Sequence, residues 1–342
     1  LVTGAGGPAG VAVIRSLLPD ACLFAVDIDR CAVGLYLVSD GNRSIVPRGE
    51  EASFIDHIME LCRRWRIDVV IPTVDTELLP MAHARLRFED LGVAIVAGPA
   101  AALSTCLDKW QLASAVESTV PCPITHLIDL QFDAAPFPSY PAVAKPRQGS
   151  GSRGVQIIDR PEQLAVVPKD SSFIVQEFLP GEELSVDVYV DGTGQPLGAV
   201  PRTRWKVDSG VAVAGRTVRD EEAMKLALDT VAAVGLTGPA NVQCRRDRDG
   251  RLALLEVNPR FPGSLPLTIA AGFDIPALAL TEVEAQRLSS GQPVGLLPVA
   301  KRSALETPVV QDDIVCAMLH DRAVALAEIS GGEIRPVRVF NL

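Results

Sequence analysis

The sequence predicts an α/β protein, and three observations carry that prediction. Apolar runs of strand length alternate with segments of helical spacing over the first hundred residues. The chain opens on a glycine turn set between a strand and a helix. Hydrophobic residues make up 48% of the chain and aromatic residues only 5%, the aliphatic bias of proteins whose buried parallel strands are built from Val, Ile, Leu and Ala. At 342 residues the chain is too long for one ordinary core and fits two or three subdomains of about 100 to 150 residues.

The elements follow in order. Leu1-Val-Thr-Gly-Ala-Gly-Gly-Pro-Ala-Gly10 reads as a strand end, a glycine turn and the start of a helix running through Leu18, with Leu23 to Val26 as the next strand. Phe54, Ile58, Leu61, Cys62 and Trp65 recur at helical spacing, and Val69-Val-Ile-Pro-Thr73 follows as a short apolar strand. Five prolines between 121 and 141 mark a change of composition and the start of a second lobe. There Pro141 to Pro146 and Ser172 to Gln176 read as strands bracketing a glycine-rich loop. Leu184 to Val190, Asn241 to Arg245 and Leu252 to Val257 are further predicted strands. Glu221 to Val234 is a helix, apolar at Met224, Ala227, Leu228 and Val231 and closed by Gly235.

Composition narrows the function classes. The formal charge is −10, from 32 basic and 42 acidic residues with no basic run, which argues against wrapping nucleic acid. The seven cysteines are scattered, without a CxxC spacing, as suits reduced thiols in a cytoplasm. No apolar run reaches the roughly 18 to 20 residues that span a bilayer, so no membrane partner is expected. The chain begins at Leu1 rather than Met, which leaves residues upstream open.

Several short stretches carry chemistry. Gly4, Gly6 and Gly10, followed by Asp27 at a strand end, imitate a dinucleotide fingerprint, and a glycine turn feeding a helix can equally hold another substrate's carboxylate or phosphate. In Lys145-Pro-Arg-Gln-Gly-Ser-Gly-Ser-Arg-Gly154 a lysine at a strand end can reach a phosphate while the glycines let the loop fold its amides over the same group; an exposed hairpin tip is the alternative. Gln176-Glu-Phe-Leu-Pro-Gly-Glu-Glu183 can offer backbone hydrogen bonds to a flat base and Glu183 to a ribose. In Leu255-Glu-Val-Asn-Pro-Arg260 the period of two puts Glu256, Asn258 and Arg260 on one side. Glu256 and Asn258 are hard oxygen donors suited to Mg²⁺, with Gln243 on the preceding strand of a hairpin as a third; a structural Glu256–Arg260 ion pair is the alternative.

These pieces, with Asp108-Lys109 between them, stand in an order that resembles the ATP-grasp superfamily, most nearly its single-copy members related to the carbamoyl-phosphate synthase large subunit. The resemblance implies a parallel α/β pre-ATP-grasp domain at 1–103, a two-lobed α+β ATP-grasp core at 104–290 (smaller lobe about 120–178, larger about 179–290) and a small C-terminal lobe at 291–342. It implies that Lys109 and Lys145 hold phosphates, that Gly149, Ser150, Gly151, Ser152 and Gly154 belong to a loop closing over the triphosphate, that Gln176, Glu177, Phe178 and Leu179 cradle adenine, and that Glu183 takes the ribose. Gln243, Glu256 and Asn258 would bind Mg²⁺, with Mn²⁺ as a substitute, and Arg260 would steady the transferred phosphoryl. Substrates would meet at Gly6 and Gly7, at an Asp75-Thr-Glu77 loop, and at Arg202, Arg204 and Lys206 ahead of the γ-phosphate. The implied activity is that of an ADP-forming carboxylate–amine ligase acting on small molecules in the cytoplasm, with a homodimer left open. Carbamoyl-phosphate-like phosphorylation of bicarbonate, nucleotide binding without turnover and a nicotinamide-dependent dehydrogenase are the rival readings.

Overall fold

The computed structural model describes residues 1–18, 21–133, 137, 140–149, 151–208, 211–295, 314–319, 322–330 and 333–339. Val2 lies at the centre of a parallel arrangement, bridging Ala25 on one side and Ile71 on the other. Around it the chain runs α1 (Pro8–Leu17), β1 (Ala25–Asp27), β2 (Arg43–Ile45), α2 (Phe54–Trp65), β3 (Val69–Val70), α3 (Asp75–His83), α4 (Arg85–Glu89), β4 (Ala94–Ile95), α5 (Ala100–Leu107) and α6 (Lys109–Val116). β1 pairs with β2 and β3 with β4, both parallel. The order is therefore that of an open α/β sheet whose first strand sits in the middle, which puts the first turn where such sheets open a crevice. The predicted α2 face is the buried one: Phe54, Ile58, Leu61 and Cys62 are enclosed, and Trp65 stacks on Phe24 with ring centroids 5.0 Å apart.

Two antiparallel sheets follow. β5 (Thr125–Ile128), β6 (Ala142–Pro146), β7 (Gln156–Ile158) and β8 (Phe173–Glu177) form one, in the order β5-β8-β6-β7. The glycine-rich loop therefore turns from β6 into β7, a strand the expected pair of brackets did not include. β9 (Glu183–Val190) and β10 (Pro196–Thr203) lead through a separate two-stranded piece, β11 (Lys206–Asp208) and β12 (Val211–Ala214), to α7 (Glu221–Ala233), β13 (Gly238–Arg246), β14 (Leu252–Asn258) and α8 (Leu265–Ala270). The second sheet runs β10-β9-β13-β14. Asp220 starts α7 by accepting from the Ala223 amide at 2.9 Å, an N-cap geometry that removes one of the helix's orphan donors.

One buried cluster joins the early helices to this sheet. Leu78 of α3, Leu103 of α5 and Leu112 of α6 pack with Val186 of β9, Val242 of β13, Leu254 of β14 and Leu226 of α7. Each such side chain contributes roughly 1.5–3 kcal/mol when fully withdrawn from water.

Contacts divide the chain into two compact units, Leu1–Ile14 with Phe24–Phe273, and Arg15–Leu23 with Asp274–Leu342. The second holds α9 (Ile275–Ser289), β15 (Val294–Gly295), β16 (Ile314–Leu319), β17 (Arg322–Ser330) and β18 (Glu333–Val339). Its antiparallel sheet runs β15-β18-β17-β16, and Leu288, Val294 and Ala325 form its core. No helix of the described residues is long and apolar enough to cross a membrane.

Candidate active site

A cavity of about 300 Å³ lies between the β5-β8-β6-β7 and β10-β9-β13-β14 sheets, lined by Lys109, Lys145, Gly149, Gly151, Ser152, Gln176, Glu177, Phe178, Leu179, Glu183, Gln243 and Glu256. The structure thus brings together nearly every residue expected to hold a nucleotide. Ser150 lies outside the described residues. Gly154 sits at the foot of the loop with φ +73° and is not among the lining residues. The loop's curvature explains its composition, since Gly149 and Gly151 take φ of 107° and 72°, values that side-chain-bearing residues rarely adopt.

Two ammonium groups enter this cavity. Lys109, at the first position of α6, donates Nζ to the Gly149 carbonyl at 2.8 Å and lies 3.9 Å from Glu256 Oε2. Lys145, near the end of β6, is 8% exposed. Burial lowers its pKa to about 8, an effect that Lys109 adds to and that Glu256 and Glu183 oppose. An ammonium so poorly hydrated gains strongly from an anion placed beside it. At the other end, Gln176 donates Nε2 to Thr125 Oγ1 at 2.8 Å, and its backbone belongs to β8, which pairs with β5 on one side and β6 on the other.

A second cavity of about 420 Å³ shares Gly151, Arg153, Arg204, Gln243 and Glu256 with the first and adds Arg202, Asn241, Asn258, Arg260 and Ser264. Gln243 and Glu256 face each other as register partners across β13 and β14. Asn258 Nδ2 reaches Glu256 Oε1 at 3.5 Å, and Arg260 NH2 reaches Asn258 Oδ1 at 3.4 Å. Arg260 lies beyond the end of β14, so it joins Glu256 and Asn258 through the turn after the strand rather than through the strand's alternation. The donor set is all oxygen with a single carboxylate, and the described residues contain no group of three His, Cys, Asp or Glu side chains. Such a set fits Mg²⁺, which completes its octahedron with water and phosphate oxygens, and does not fit zinc.

The expected substrate residues fall out differently. Gly6 N–H donates to Asp27 Oδ2 at 2.7 Å, so the anion that meets this amide is supplied by the chain itself. Gly7 N–H donates to the Gly4 carbonyl at 3.1 Å, so that amide too is taken. Asp75-Thr-Glu77 is the first turn of α3 rather than a loop. Asp75 pairs with Arg260. Glu77, 4% exposed, accepts from Thr3 Oγ1, and burial raises its pKa to about 7 against the lowering effect of that hydrogen bond. Arg202 is buried and ion-paired with Asp187, and its Nε finds no hydrogen-bond partner among the described residues. Arg204 pairs with Glu183, Nε to Oε1 at 2.9 Å, so the carboxylate expected on a ribose also holds a cation of the second cavity. Lys206 is exposed on β11 and lines neither cavity.

Some residues went unnoticed in the sequence. Asn241 lies two positions before Gln243 on β13 and lines the second cavity; the period-two rule that singled out Glu256 and Asn258 would have found it. Arg153 lines both cavities. Arg245 lines the first, with its guanidinium carbon 5.9 Å from the Phe178 ring centroid. Asp187, fully buried, accepts from Asn241 Nδ2 at 2.7 Å and Thr268 Oγ1 at 2.5 Å; nothing local in the sequence announces it.

Comparison with known proteins bears on family and fold. Residues 169–306 match the family described as "ATP-grasp in the biosynthetic pathway with Ter operon", and residues 10–96 match the "PylC-like, N-terminal domain". The chain is 44% identical over 124 residues to tRNA pseudouridine synthase B of Rhodospirillum rubrum, a match spanning 35% of this chain and 40% of that protein, well under two thirds of the relative's length. It is 26% identical over 286 residues to the formate-dependent phosphoribosylglycinamide formyltransferase of Ignicoccus hospitalis, covering 75% of this chain and 70% of that one. Among solved structures, the biotin carboxylase–β,γ-ATP complex of Campylobacter jejuni superposes with a TM-score of 0.66 at 14% identity, over 83% of this chain and 70% of the other. That likeness concerns the fold. A PylC-like N-terminal match at 10–96 is thus followed by a match to an ATP-grasp family at 169–306, and the fold over most of the chain is similar to that of the biotin carboxylase.

Proposed function

We propose that the protein is an ADP-forming carboxylate–amine ligase of small-molecule metabolism. The observation that carries this reading is the junction of the two cavities at Gln243, Glu256 and Arg204. It supports a nucleotide in the first cavity, with Lys109 and Lys145 on its phosphates, residues 176–179 along the base and Glu183 at the ribose, and a γ-phosphate that reaches the second. Mg²⁺ bound by Gln243, Glu256 and Asn258 would neutralise charge on the phosphate oxygens. A carboxylate oxygen of the substrate attacks the γ-phosphorus, the bond to the β-bridging oxygen breaks, and ADP leaves with an acyl phosphate behind. An amine nitrogen then attacks the acyl carbon, releasing inorganic phosphate and a proton. Phosphoryl transfer asks a protein mainly for position and charge. Arg260, held by Asp75, and Arg204, held by Glu183, supply fixed guanidinium groups where that charge develops. Amine capture asks for proximity and exclusion of water. Action in the cytoplasm belongs to the same reading.

The test is a panel of amino acids and small acids incubated with Mg·ATP and a second panel of amines. Formation of ADP and phosphate that depends on both partners, with ¹⁸O passing from the labelled carboxylate to the released phosphate, is the expected result. AMP and pyrophosphate would overturn the acyl-phosphate step. ATP binding without turnover on any pair would favour the binding-protein reading.

A further inference from the structure

The first cavity holds its two lysines on different elements, Lys109 on α6 and Lys145 on β6, so something has to fix one against the other. The residue that ties the two segments together is Arg147. Its side chain meets Asp108 at two points, Nε to Oδ1 at 3.1 Å and NH2 to Oδ2 at 2.6 Å. Its carbonyl accepts from the Lys109 amide at 2.9 Å, its own amide donates to the Ser172 carbonyl at 2.9 Å, and NH1 donates to the Ser171 carbonyl at 3.2 Å. Asp108 is 1% exposed and also caps α6, accepting from Trp110 N at 3.0 Å and Gln111 N at 3.2 Å.

One carboxylate therefore closes the start of α6 and grips the residue two positions after Lys145. Lys109 is the neighbour of Asp108 and Lys145 stands two residues before Arg147, so the pair links the two segments that carry the lysines, with Gln148 and the glycines following it. Arg147 lines neither cavity, so it has no direct claim on a ligand. A two-point guanidinium–carboxylate pair fixes direction as well as distance, which a lysine in the same place would not do.

We propose that the Asp108–Arg147 pair is a positioning clamp that sets the spacing of Lys109 and Lys145 for a nucleotide's phosphates. The proposal rests on the nucleotide reading of the first cavity. A purely structural role is the competing explanation, and Asp108→Ser separates the two, because serine still caps a helix but cannot pair with Arg147. The affinity of the folded variants for Mg·ADP is measured by calorimetry well below their melting temperatures, alongside the KM for Mg·ATP. Asp108→Ser and Arg147→Met are each expected to weaken Mg·ADP about tenfold, and the double variant no further than the weaker single, since both remove one interaction. Arg147→Lys is expected to recover only part of the loss. Wild-type affinity in Asp108→Ser and Arg147→Met, with lowered melting temperatures, would overturn the clamp and leave the nucleotide site standing. Wild-type protein that gives no binding heat with Mg·ADP or Mg·ATP would overturn the nucleotide reading and the clamp with it.

Discussion

Arg260 and Asp75 stand 185 residues apart in the chain and meet at two points, Nε to Oδ1 at 2.7 Å and NH2 to Oδ2 at 3.2 Å. The α/β region thereby orients a guanidinium of the second cavity. Asp75→Asn keeps the size of the side chain but loses the charge and one acceptor. Turnover should fall by about tenfold with a smaller change in the KM for ATP, because the interaction lost serves the transferring group. Steady-state kinetics on Asp75→Asn and Arg260→Lys check this; an Asp75→Asn enzyme with wild-type kcat would show that Arg260 needs no orienting partner.

Glu256 and Glu183 should separate in kinetics, but not cleanly. Glu256→Gln removes the only carboxylate of the proposed metal set, so kcat should drop by about 10²-fold or more and the Mg²⁺ concentration for half-activity should rise. A ribose contact by itself would make Glu183→Ala mainly raise the KM for ATP. Its ion pair with Arg204 adds a fall in kcat of a few fold, and Glu183→Gln should retain more of kcat than Glu183→Ala. A Mg²⁺ titration of the three proteins decides the matter.

Lys145 titrates at about 8 because it is buried, so it is charged below that pH and neutral above it. Affinity for Mg·ATP should decline as pH rises through about 8, and binding near pH 8 should take up a fraction of a proton, since the phosphates raise the lysine's pKa. Calorimetry in buffers of differing ionisation enthalpy measures that uptake. Lys145→Met should abolish nucleotide binding yet raise the melting temperature by a few degrees, because it removes a poorly solvated charge.

Glu77 makes an opposite kind of prediction. Its pKa is raised from 4.5 to about 7 in the folded protein, so between those values the folded state holds a proton that the unfolded chain has released. Stability should fall as pH rises from about 4.5 to 7, by on the order of 2–3 kcal/mol, and level off above that range. Glu77→Gln keeps a partner for Thr3 and should flatten this slope. Urea denaturation at several pH values checks it; identical slopes in wild type and Glu77→Gln would locate the pH dependence elsewhere.

What the sequence disclosed follows from which properties are local. Alternation along β13 and β14 reports the face a side chain takes, so Gln243, Glu256 and Asn258 were legible together. A lysine at a strand end ahead of three glycines marks a tight turn whatever the surrounding fold, so Lys145 and the loop from β6 into β7 were legible too. Partners were not. Asp75 with Arg260, Asp187 with Arg202 and Asp27 with Gly6 meet only because the chain folds, and no periodicity encodes the meeting. β7 and β11, three residues each, are too short and exposed for a hydrophobic pattern to mark them. The change of composition near Pro121 marks where the first antiparallel sheet starts. The core, in contrast, runs across residue 103 without a break.

That shared core has a consequence for the order of synthesis. Leu78, Leu103 and Leu112 leave the ribosome long before Val242 and Leu254, the strand residues that cover them. Their apolar faces must wait in water for more than a hundred residues of chain, at synthesis rates of about 5–20 residues per second. During those seconds the half-made protein offers a sticky surface that the finished one does not have. The early helices are therefore the stretch that a chaperone would cover on the nascent chain until the later strands arrive.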